Sequence, residues 1–345
     1  MMKVGIFLPN WVGDAVMATP TLRALRRYMG REATFIGMMK PYVEGVLQGT
    51  SWLDEIWFYD RLSPDPEMRP AALTRRIYRS SLDLVVLFTN DFLSAFISWL
   101  GRAKKRVGYV RNRRGSFLTI KLYPSMASGK FVPTPTLDYY LQLAYALGCP
   151  TESWKMELAT TDEDERMADQ VGEALGLRSD GKVVLFNSSG AYGQAKLWPD
   201  EYFSELANRV VKELDHDVLI LCGPLERERA ARIANRSGNP KVVSLAEQKL
   251  SLGLSKALVR RSRLLVTTDS GPRHFAAAFE IPLITLFGPT HIAWGDIRYD
   301  KELCIQLPVD CGPCQQRVCP YPHHRCMRDL KVDEVYRAVS RQLKK

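Results

Sequence analysis

The sequence predicts an α/β protein of two doubly wound, Rossmann-like domains. Short apolar runs alternate with amphipathic helical stretches almost throughout, the pattern of parallel sheets flanked by helices. The alternation restarts after Pro150 and an acid-rich connector, and 345 residues suffice for two domains of ordinary size. We therefore place domains at 1–160 and 161–345, facing one another across a central cleft with ligands at the carboxyl ends of the strands.

The first half contains five apolar runs that predict strands, with helices between them. These strands are Val4–Leu8, Ala33–Met38, Glu55–Tyr59, Leu84–Thr89 and Arg106–Val110. A further helix is predicted over Leu137–Leu147. The helix that begins at Ala15 should kink at Pro20, because proline removes a backbone hydrogen bond.

The second half repeats this pattern with five more strands. They are Val183–Asn187, Asp217–Cys222, Val242–Leu245, Leu264–Thr268 and Leu283–Phe287. Helices are predicted over Pro199–Leu214, Glu226–Ala234, Ser255–Arg261, Pro272–Phe279 and Val332–Leu343. Pro199 and Pro272 suit first-turn positions, where a missing N–H costs nothing. A Cys-rich loop covers 304–326, and the final helix is expected to pack back on the first domain.

The net charge of +10 is concentrated in the first half of the chain. Residues 1–150 hold 20 lysines and arginines against 11 acids, and no acid lies between Asp91 and Asp138. Such a field attracts polyanions: a nucleic acid, an anionic membrane or a phosphorylated substrate. A solvated face that only aids solubility is the alternative. With neither a spanning apolar run nor a signal-peptide pattern, we expect a cytoplasmic protein.

The stretch "LPNWVGDAVMATPTLRALR" joins the first strand to the first helix and places Asp14 next to Gly13. Glycine lets a ligand approach the backbone closely. Asp14 is either a helix N-cap or a general base over the cleft, and position alone leaves both open. The absence of G-x-G-x-x-G here argues against a dinucleotide-dependent oxidoreductase.

The stretch "FNSSGAYGQAKLWP" supplies groups suited to a diphosphate. Ser188, Ser189 and Gly190 follow a strand, and Lys196 lies just before a helix. Small hydroxyls, glycine N–H groups, a lysine and a helix N-terminus all bind or neutralise phosphate oxygens. A plain loop with a solvated lysine is the alternative.

The stretch "VTTDSGPRHFAAA" provides a second such helix N-terminus in the same domain. Asp269, Ser270 and Gly271 follow a strand, and His274 lies in the next helix. Asp269 could be a simple cap and His274 an inner histidine with satisfied partners. Two anion-receptive helix starts in one domain suggest one ligand bridging both, such as a nucleoside diphosphate.

Acids after the strand in "CGPLERERAAR" could accept hydrogen bonds from a ribose. Glu226 is the better placed candidate and Glu228 the second. A charged helix start stabilised by the helix dipole explains them equally well.

The stretch "CGPCQQRVCPYPHHRCM" clusters four cysteines, Cys311, Cys314, Cys319 and Cys326, around two histidines. Disulfides are not expected in the cytoplasm, so the alternatives are a structural zinc site, an iron–sulfur site or packed reduced thiols. The spacing lacks the paired C-x-x-C halves of a zinc ribbon.

Together, "NWVGDAVMATPTLRAL", "GAYGQAKLWP", "TTDSGPRHFAAA" with "LITLFGPT", and the Cys-rich stretch resemble the ADP-heptose:lipopolysaccharide heptosyltransferases, glycosyltransferase family 9, of the heptosyltransferase II branch. The resemblance implies a GT-B fold. It makes Asp14 the catalytic base, Lys196 the lysine at the diphosphate, and "DSGPRH" the donor segment, with Glu226 a looser correspondence. Pro272 and Arg273 depart from the family pattern and are expected to add a positive charge beside the donor.

The resemblance implies inverting, metal-independent transfer from ADP-L-glycero-β-D-manno-heptose to the inner-core heptose of lipopolysaccharide, with no cofactor. The second domain would bind the donor. The first would bind the anionic acceptor at the cytoplasmic face of the inner membrane, with Arg111 and Arg114 among the contacts and Trp99 or Tyr109 as exposed aromatics. Asp14 should point across the cleft toward Lys196 and Asp269.

Three other functions stay open from the sequence. Transfer to Kdo, as in heptosyltransferase I, is one, and another GT-B glycosyltransferase is the second. A zinc-dependent nucleic-acid-binding protein would account for the basic window and the cysteines, but two complete α/β domains argue against it, and we expect no nucleic-acid partner. The sequence does not determine the oligomeric state.

Overall fold

The computed structural model describes residues 1–190 and 193–344, so Ala191 and Tyr192 of the "GAYGQAKLWP" motif lie outside the described residues. The chain divides into two compact units, Met1–Ala159 and Thr160–Lys345. Each unit is built on a six-stranded, fully parallel sheet. The predicted α/β class with two doubly wound sheets is confirmed.

The first unit has the strand order β3-β2-β1-β4-β5-β6. Its strands are β1 (Lys3–Phe7), β2 (Thr34–Met39), β3 (Glu55–Phe58), β4 (Leu84–Leu87), β5 (Lys105–Tyr109) and β6 (Ile120–Leu122), and a small antiparallel hairpin is formed by β7 (Met126–Ala127) and β8 (Lys130–Phe131). Its helices are α1 (Val12–Met17), α2 (Thr19–Met29), α3 (Pro41–Leu47), α4 (Pro70–Ser80), α5 (Phe92–Leu100) and α6 (Thr136–Tyr145).

At the predicted kink, α1 and α2 are separated by one residue whose backbone stays in the right-handed helical region. Ala18 separates the two helices, and Pro20 occupies the first turn of α2, where its missing N–H is harmless. The loop after β1 and the first turn of α1 precede this interruption and lie at the carboxyl end of β1.

The second unit repeats the topology, with the order β11-β10-β9-β12-β13-β14. Its strands are β9 (Val183–Asn187), β10 (Asp217–Leu221), β11 (Val242–Ser244), β12 (Leu264–Thr268), β13 (Leu283–Phe287) and β14 (Glu302–Gln306). Its helices are α7 (Asp162–Ala174), α8 (Asp200–Leu214), α9 (Arg227–Ser237), α10 (Leu252–Arg261), α11 (Gly271–Ala278), α12 (Ile292–Gly295), α13 (Arg325–Arg328) and α14 (Val332–Leu343).

Side-chain caps set several helix starts. Thr161 and Asp164 form a reciprocal capping box on α7, and Ser251 caps α10. Pro199 is the N-cap residue of α8, one position before the first turn where the sequence had placed it. The final helix α14 packs on α8 and β12 of its own unit.

The sequence pattern does not predict the hairpin strands β7 and β8, nor one strand in each of the six-stranded sheets, β6 and β14. β6 and β14 are edge strands whose residues are mostly half-buried, so they lack the continuous apolar run of the inner strands. Among the described residues, no helix has the length and apolar character needed to cross a membrane.

Candidate active site

The strand order reverses between β1 and β4 in the first unit, and between β9 and β12 in the second. Doubly wound sheets bind ligands at such switch points, outside the carboxyl ends of the strands. The loops leaving these four strands contain most of the residues singled out in the sequence.

Asp14 lies in the first turn of α1 and is not its N-cap. Trp11 is the N-cap residue and makes no side-chain cap bond, while Asp14 is the third helical residue and half-buried. Burial, with a contribution from the nearby charge of Asp14, raises the pKa of the Tyr140 hydroxyl on α6. The N-cap interpretation of Asp14 is therefore wrong. Gly13 precedes it in the same turn and is half-buried.

Arg114 is an interior residue, although the sequence had placed it at an acceptor surface. Its side chain is 0% exposed. The guanidinium donates to the Tyr109 carbonyl at 2.9 Å, to the carbonyl of Thr89 and to Asn90 Oδ1 at 3.1 Å. Burial lowers its pKa to about 10. These bonds fasten the loop after β4 to the loop after β5, so Arg114 organises the site without facing solvent.

Arg111 is half-buried at the same carboxyl edge. Its guanidinium stacks over the Phe131 ring at 4.2 Å. Tyr109, predicted as an exposed aromatic, is only 4% exposed and stacks on Tyr139 with ring centroids 3.6 Å apart. The exposed aromatic that the sequence did identify is Trp99, at 46%.

In the second unit, hydrogen bonds join the loop after β9 to the loop after β12. The Asn187 amide nitrogen donates to Thr267 Oγ1 at 2.8 Å and to Ser270 Oγ at 2.6 Å. The Thr268 hydroxyl donates to the carbonyl of Ser189. The structure thus brings the two predicted anion-receptive loops together in one site.

Lys196 and Asp269 form a mostly buried ion pair at the centre of this site. The Lys196 ammonium lies 2.6 Å from Asp269 Oδ2 and 2.9 Å from the Asp269 carbonyl oxygen. Thr290 also donates to Oδ2, at 2.9 Å. Burial would raise the pKa of Asp269, but Lys196 and Arg273 outweigh it and hold the pKa below its ordinary value. Asp269 is therefore ionised and orients the lysine.

Arg273 does not present its charge to a ligand, contrary to expectation. It is fully buried and makes a bidentate pair with Glu302 of β14, at 2.6 and 2.8 Å. Thr285 Oγ1 donates to the same carboxylate at 2.5 Å. Burial opposes the charge of Arg273, but Glu302 raises its pKa overall. The pair supports α11 from beneath the site.

Two buried polar atoms of the site have no hydrogen-bond partner within the described part of the chain, Ser188 Oγ and His274 Nδ1. Unpaired buried polar atoms are rare in folded proteins and call for a ligand or a water. Gly190 lies two positions after Ser188, and its carbonyl accepts from Gly193 N–H at 2.8 Å. Gly271 lies three positions before His274, at the start of α11. Ser188 and His274 are thus candidates for direct ligand contact.

His274 makes the stability of the second unit depend on pH. Burial, reinforced by Arg273, lowers its pKa from 6.5 to about 3, so the native imidazole is neutral. Below pH 6.5, His274 becomes protonated in the unfolded chain but stays neutral in the native state. The free energy of unfolding therefore falls as pH falls, by about 1.4 kcal/mol per pH unit. In urea unfolding at pH 6.5 and pH 5, we expect His274→Gln to lose about 2 kcal/mol less than the unsubstituted protein. Equal losses would contradict a neutral, buried histidine.

Glu226 sits just before α9 with its carboxylate turned onto its own loop. Its Oε2 accepts from Gly223 N–H at 2.9 Å.

Arg229, one turn later in α9, is a site residue that the sequence did not predict. It donates to the carbonyls of Ser188 at 2.9 Å and Trp198 at 2.6 Å, while pairing with Asp200 at 2.6 Å. Arg229 therefore fixes both ends of the loop that carries Lys196.

The four clustered cysteines line one small cavity of about 20 Å³, together with His323 and His324. Burial, with repulsion from the negative charge that the other three cysteines gain as thiolates, raises the pKa of Cys326 to about 11. Within the described residues, no three His, Cys, Asp or Glu side chains are grouped so as to hold a metal ion. The structural zinc site stays a prediction from the spacing.

Comparison with known proteins gives concordant similarities. A family model, glycosyltransferase family 9 (heptosyltransferase), matches residues 71–324. Lipooligosaccharide heptosyltransferase 2 of Campylobacter jejuni is 26% identical over 99% of both chains. Two solved structures share the fold: the ADP-heptose lipopolysaccharide heptosyltransferase II of E. coli (TM-score 0.80, 21% identity, 99% of each chain) and a family 9 glycosyltransferase of Veillonella parvula (TM-score 0.82, 19% identity, 99% and 97%).

Proposed function

Because the chain belongs to glycosyltransferase family 9, we propose that it transfers heptose from ADP-L-glycero-β-D-manno-heptose to the inner-core heptose of lipopolysaccharide, as a heptosyltransferase II-type enzyme. The chain is a glycosyltransferase, and the resemblance inferred from its motifs and the GT-B fold are confirmed. The donor, the acceptor sugar and the residue roles below are the proposal.

The observation that carries the proposal is the composition of the switch point in the second unit. A buried lysine, the N-terminus of the eight-residue helix α11 and two buried polar atoms without a hydrogen-bond partner among the described residues are gathered there. The ammonium, the helix N–H groups and the serine hydroxyl favour phosphate oxygens, as does the neutral His274 ring in the tautomer that carries its proton on Nδ1. Lys196, Ser188, Ser270 and His274 would hold the donor diphosphate, with Glu226 nearest the ribose.

Asp14 is the proposed general base. The acceptor hydroxyl oxygen attacks the anomeric carbon, the bond from that carbon to the ADP oxygen breaks, and the hydroxyl proton passes to the Asp14 carboxylate. Charge accumulates on the departing diphosphate, where Lys196 stabilises it. This step uses no metal ion or cofactor.

Donor specificity tests the proposal. Purified protein incubated with an inner-core acceptor should release ADP from ADP-heptose. It should turn over UDP-, GDP- and dTDP-sugars at least about 100-fold more slowly, because these donors leave polar groups of the base-binding site without partners. Preference for another nucleotide sugar would instead support a different GT-B glycosyltransferase.

Association with an anionic membrane is the second part of the proposal. The outer faces of α4 and α5 form a surface, here the α4–α5 surface, of exposed basic and apolar residues: Arg75, Tyr78, Arg79, Trp99, Leu100 and Arg102. Arg102 lies over the Tyr78 ring at 5.4 Å, and neither helix contains an acid. Aromatic and basic side chains together suit the interface of an anionic bilayer.

Vesicle binding tests the α4–α5 surface. Replacing its three arginines with glutamine should weaken binding to phosphatidylglycerol vesicles about 100-fold, because each arginine contributes about 1 kcal/mol near an anionic surface. The matched control removes three exposed arginines of the second unit, Arg166, Arg232 and Arg236. Equal loss in both triple variants would show that net charge, and not this surface, drives binding.

A further inference from the structure

The Cys-rich segment, Cys311–Cys326, lies directly on the loop that carries Lys196. Ala195, the residue before the lysine, donates its N–H to the Arg317 carbonyl at 3.0 Å, and its carbonyl oxygen lies 2.8 Å from His324 Nε2. A carbonyl oxygen only accepts, so Nε2 is the protonated nitrogen of His324. Both backbone polar groups of the buried Ala195 are thus used by the Cys-rich segment.

The fit between the loop and the Cys-rich segment leaves no room for a side chain at Gly193. A Cβ atom there would lie 2.2 Å from the Arg317 carbonyl oxygen and 2.8 Å from the Arg317 Cβ. Because backbone cannot yield as a flexible side chain can, glycine is required at this position. The contact is therefore built into both chain segments.

The Cys-rich segment also contacts the loop after β13, whose Thr290 donates a hydrogen bond to Asp269. Gln315 N–H donates to the Pro289 carbonyl at 2.8 Å, and the next residue, Thr290, donates to Asp269 Oδ2 at 2.9 Å. Ala195, Gly288 and Pro289 line the small cavity of the four thiols. The thiols thus pack between the two loops that bring Lys196 and Thr290 to the same carboxylate.

We propose that His324 is a positioning residue for donor binding: through Ala195 it holds Lys196 against Asp269, so that the ammonium is in place for the diphosphate. This inference rests on the proposed function. In this proposal the Cys-rich segment holds the loop that carries Lys196. The four thiols pack between that loop and the loop that carries Thr290.

Titration calorimetry of the full-length protein with ADP tests this role. His324→Ala should bind ADP about 10-fold more weakly, the effect of one lost hydrogen bond, and raise the KM for ADP-heptose by a similar factor with a smaller change in kcat. His324→Gln keeps an N–H at the position of Nε2 and should restore most of the affinity. Gly193→Ala should weaken ADP binding by displacing Arg317.

The neighbouring histidine supplies a matched control. His323 stacks on Tyr321, with ring centroids 5.1 Å apart, and its Nδ1 accepts from Arg325 N–H at 3.1 Å. His323→Ala should bind ADP like the unsubstituted protein. Unchanged ADP affinity in both His324→Ala and Gly193→Ala would overturn the positioning role alone. Failure of the unsubstituted protein to bind ADP would overturn the proposed function, and this inference with it.

Discussion

Replacing Lys196 by methionine should lower kcat/KM for ADP-heptose by about 100- to 1000-fold and weaken ADP binding. Methionine has nearly the length of lysine but no charge to stabilise the departing diphosphate, and loss of one such donor has an effect of this size. Steady-state kinetics and ADP titration measure the two effects. Lys196→Arg should retain part of the binding, since it keeps the charge but not the geometry.

The Lys196 variant will also be less stable, because Asp269 stays ionised and mostly buried without the ammonium 2.6 Å away. Breaking a buried pair in this way costs about 3 kcal/mol. Adding Asp269→Asn removes the second charge and should recover much of that free energy of unfolding. Recovery of stability without recovery of turnover is the expected result. A stable double variant with near-normal turnover would remove Lys196 from the chemistry.

Replacing Asp14 by asparagine should lower kcat by about 100-fold or more while ADP affinity stays nearly unchanged. The substitution preserves shape and removes the basic carboxylate, and general-base catalysis is worth at least this factor. Since the N-cap residue of α1 is Trp11, the loss of activity is not explained by loss of a helix cap. Initial rates and calorimetry on the same preparation test the separation.

Asp83→Asn is the matched control for Asp14. Asp83 precedes β4 at the opposite edge of the same sheet, and it pairs with Lys104 at 2.8 Å. Its substitution should leave kcat unchanged. Turnover in Asp14→Asn equal to that of the control would exclude Asp14 as the base.

The sequence predicts the central strands and the loops at both switch points because buried parallel strands are continuous apolar runs. It also assigns Lys196 and Asp269 to one site, since both lie in anion-receptive loops that follow strands of the same predicted domain. Their direct ion pair was not foreseen, because the pattern gives the edge of a sheet and not the distance between side chains.

Contacts between segments far apart in the chain leave no pattern in the sequence. His324 and Ala195 are 129 positions apart, and Arg229 reaches back 41 positions to Ser188. The sequence does not predict the edge strand β14 that carries Glu302, and without this partner Arg273 is an uncompensated charge. No local periodicity encodes these pairings, which arise only when the sheet brings the loops together.

Charge density, likewise, does not say which arginine faces solvent. Arg111 and Arg114 belong to the same basic window, yet Arg114 is wholly buried on backbone carbonyls. Tyr109 ends a strand on the same edge and is buried against Tyr139. Burial is set by neighbouring elements, so a basic window predicts the kind of partner better than the individual contacts.

We propose above all that this chain adds heptose to the inner-core heptose of lipopolysaccharide. The most direct test is mass spectrometry of the lipid product after incubation with ADP-heptose and acceptors truncated at successive sugars. We expect the mass of one heptose to be added only when the acceptor already carries the first inner-core heptose. Addition to an acceptor ending in Kdo would contradict the claim and identify a heptosyltransferase I-type reaction.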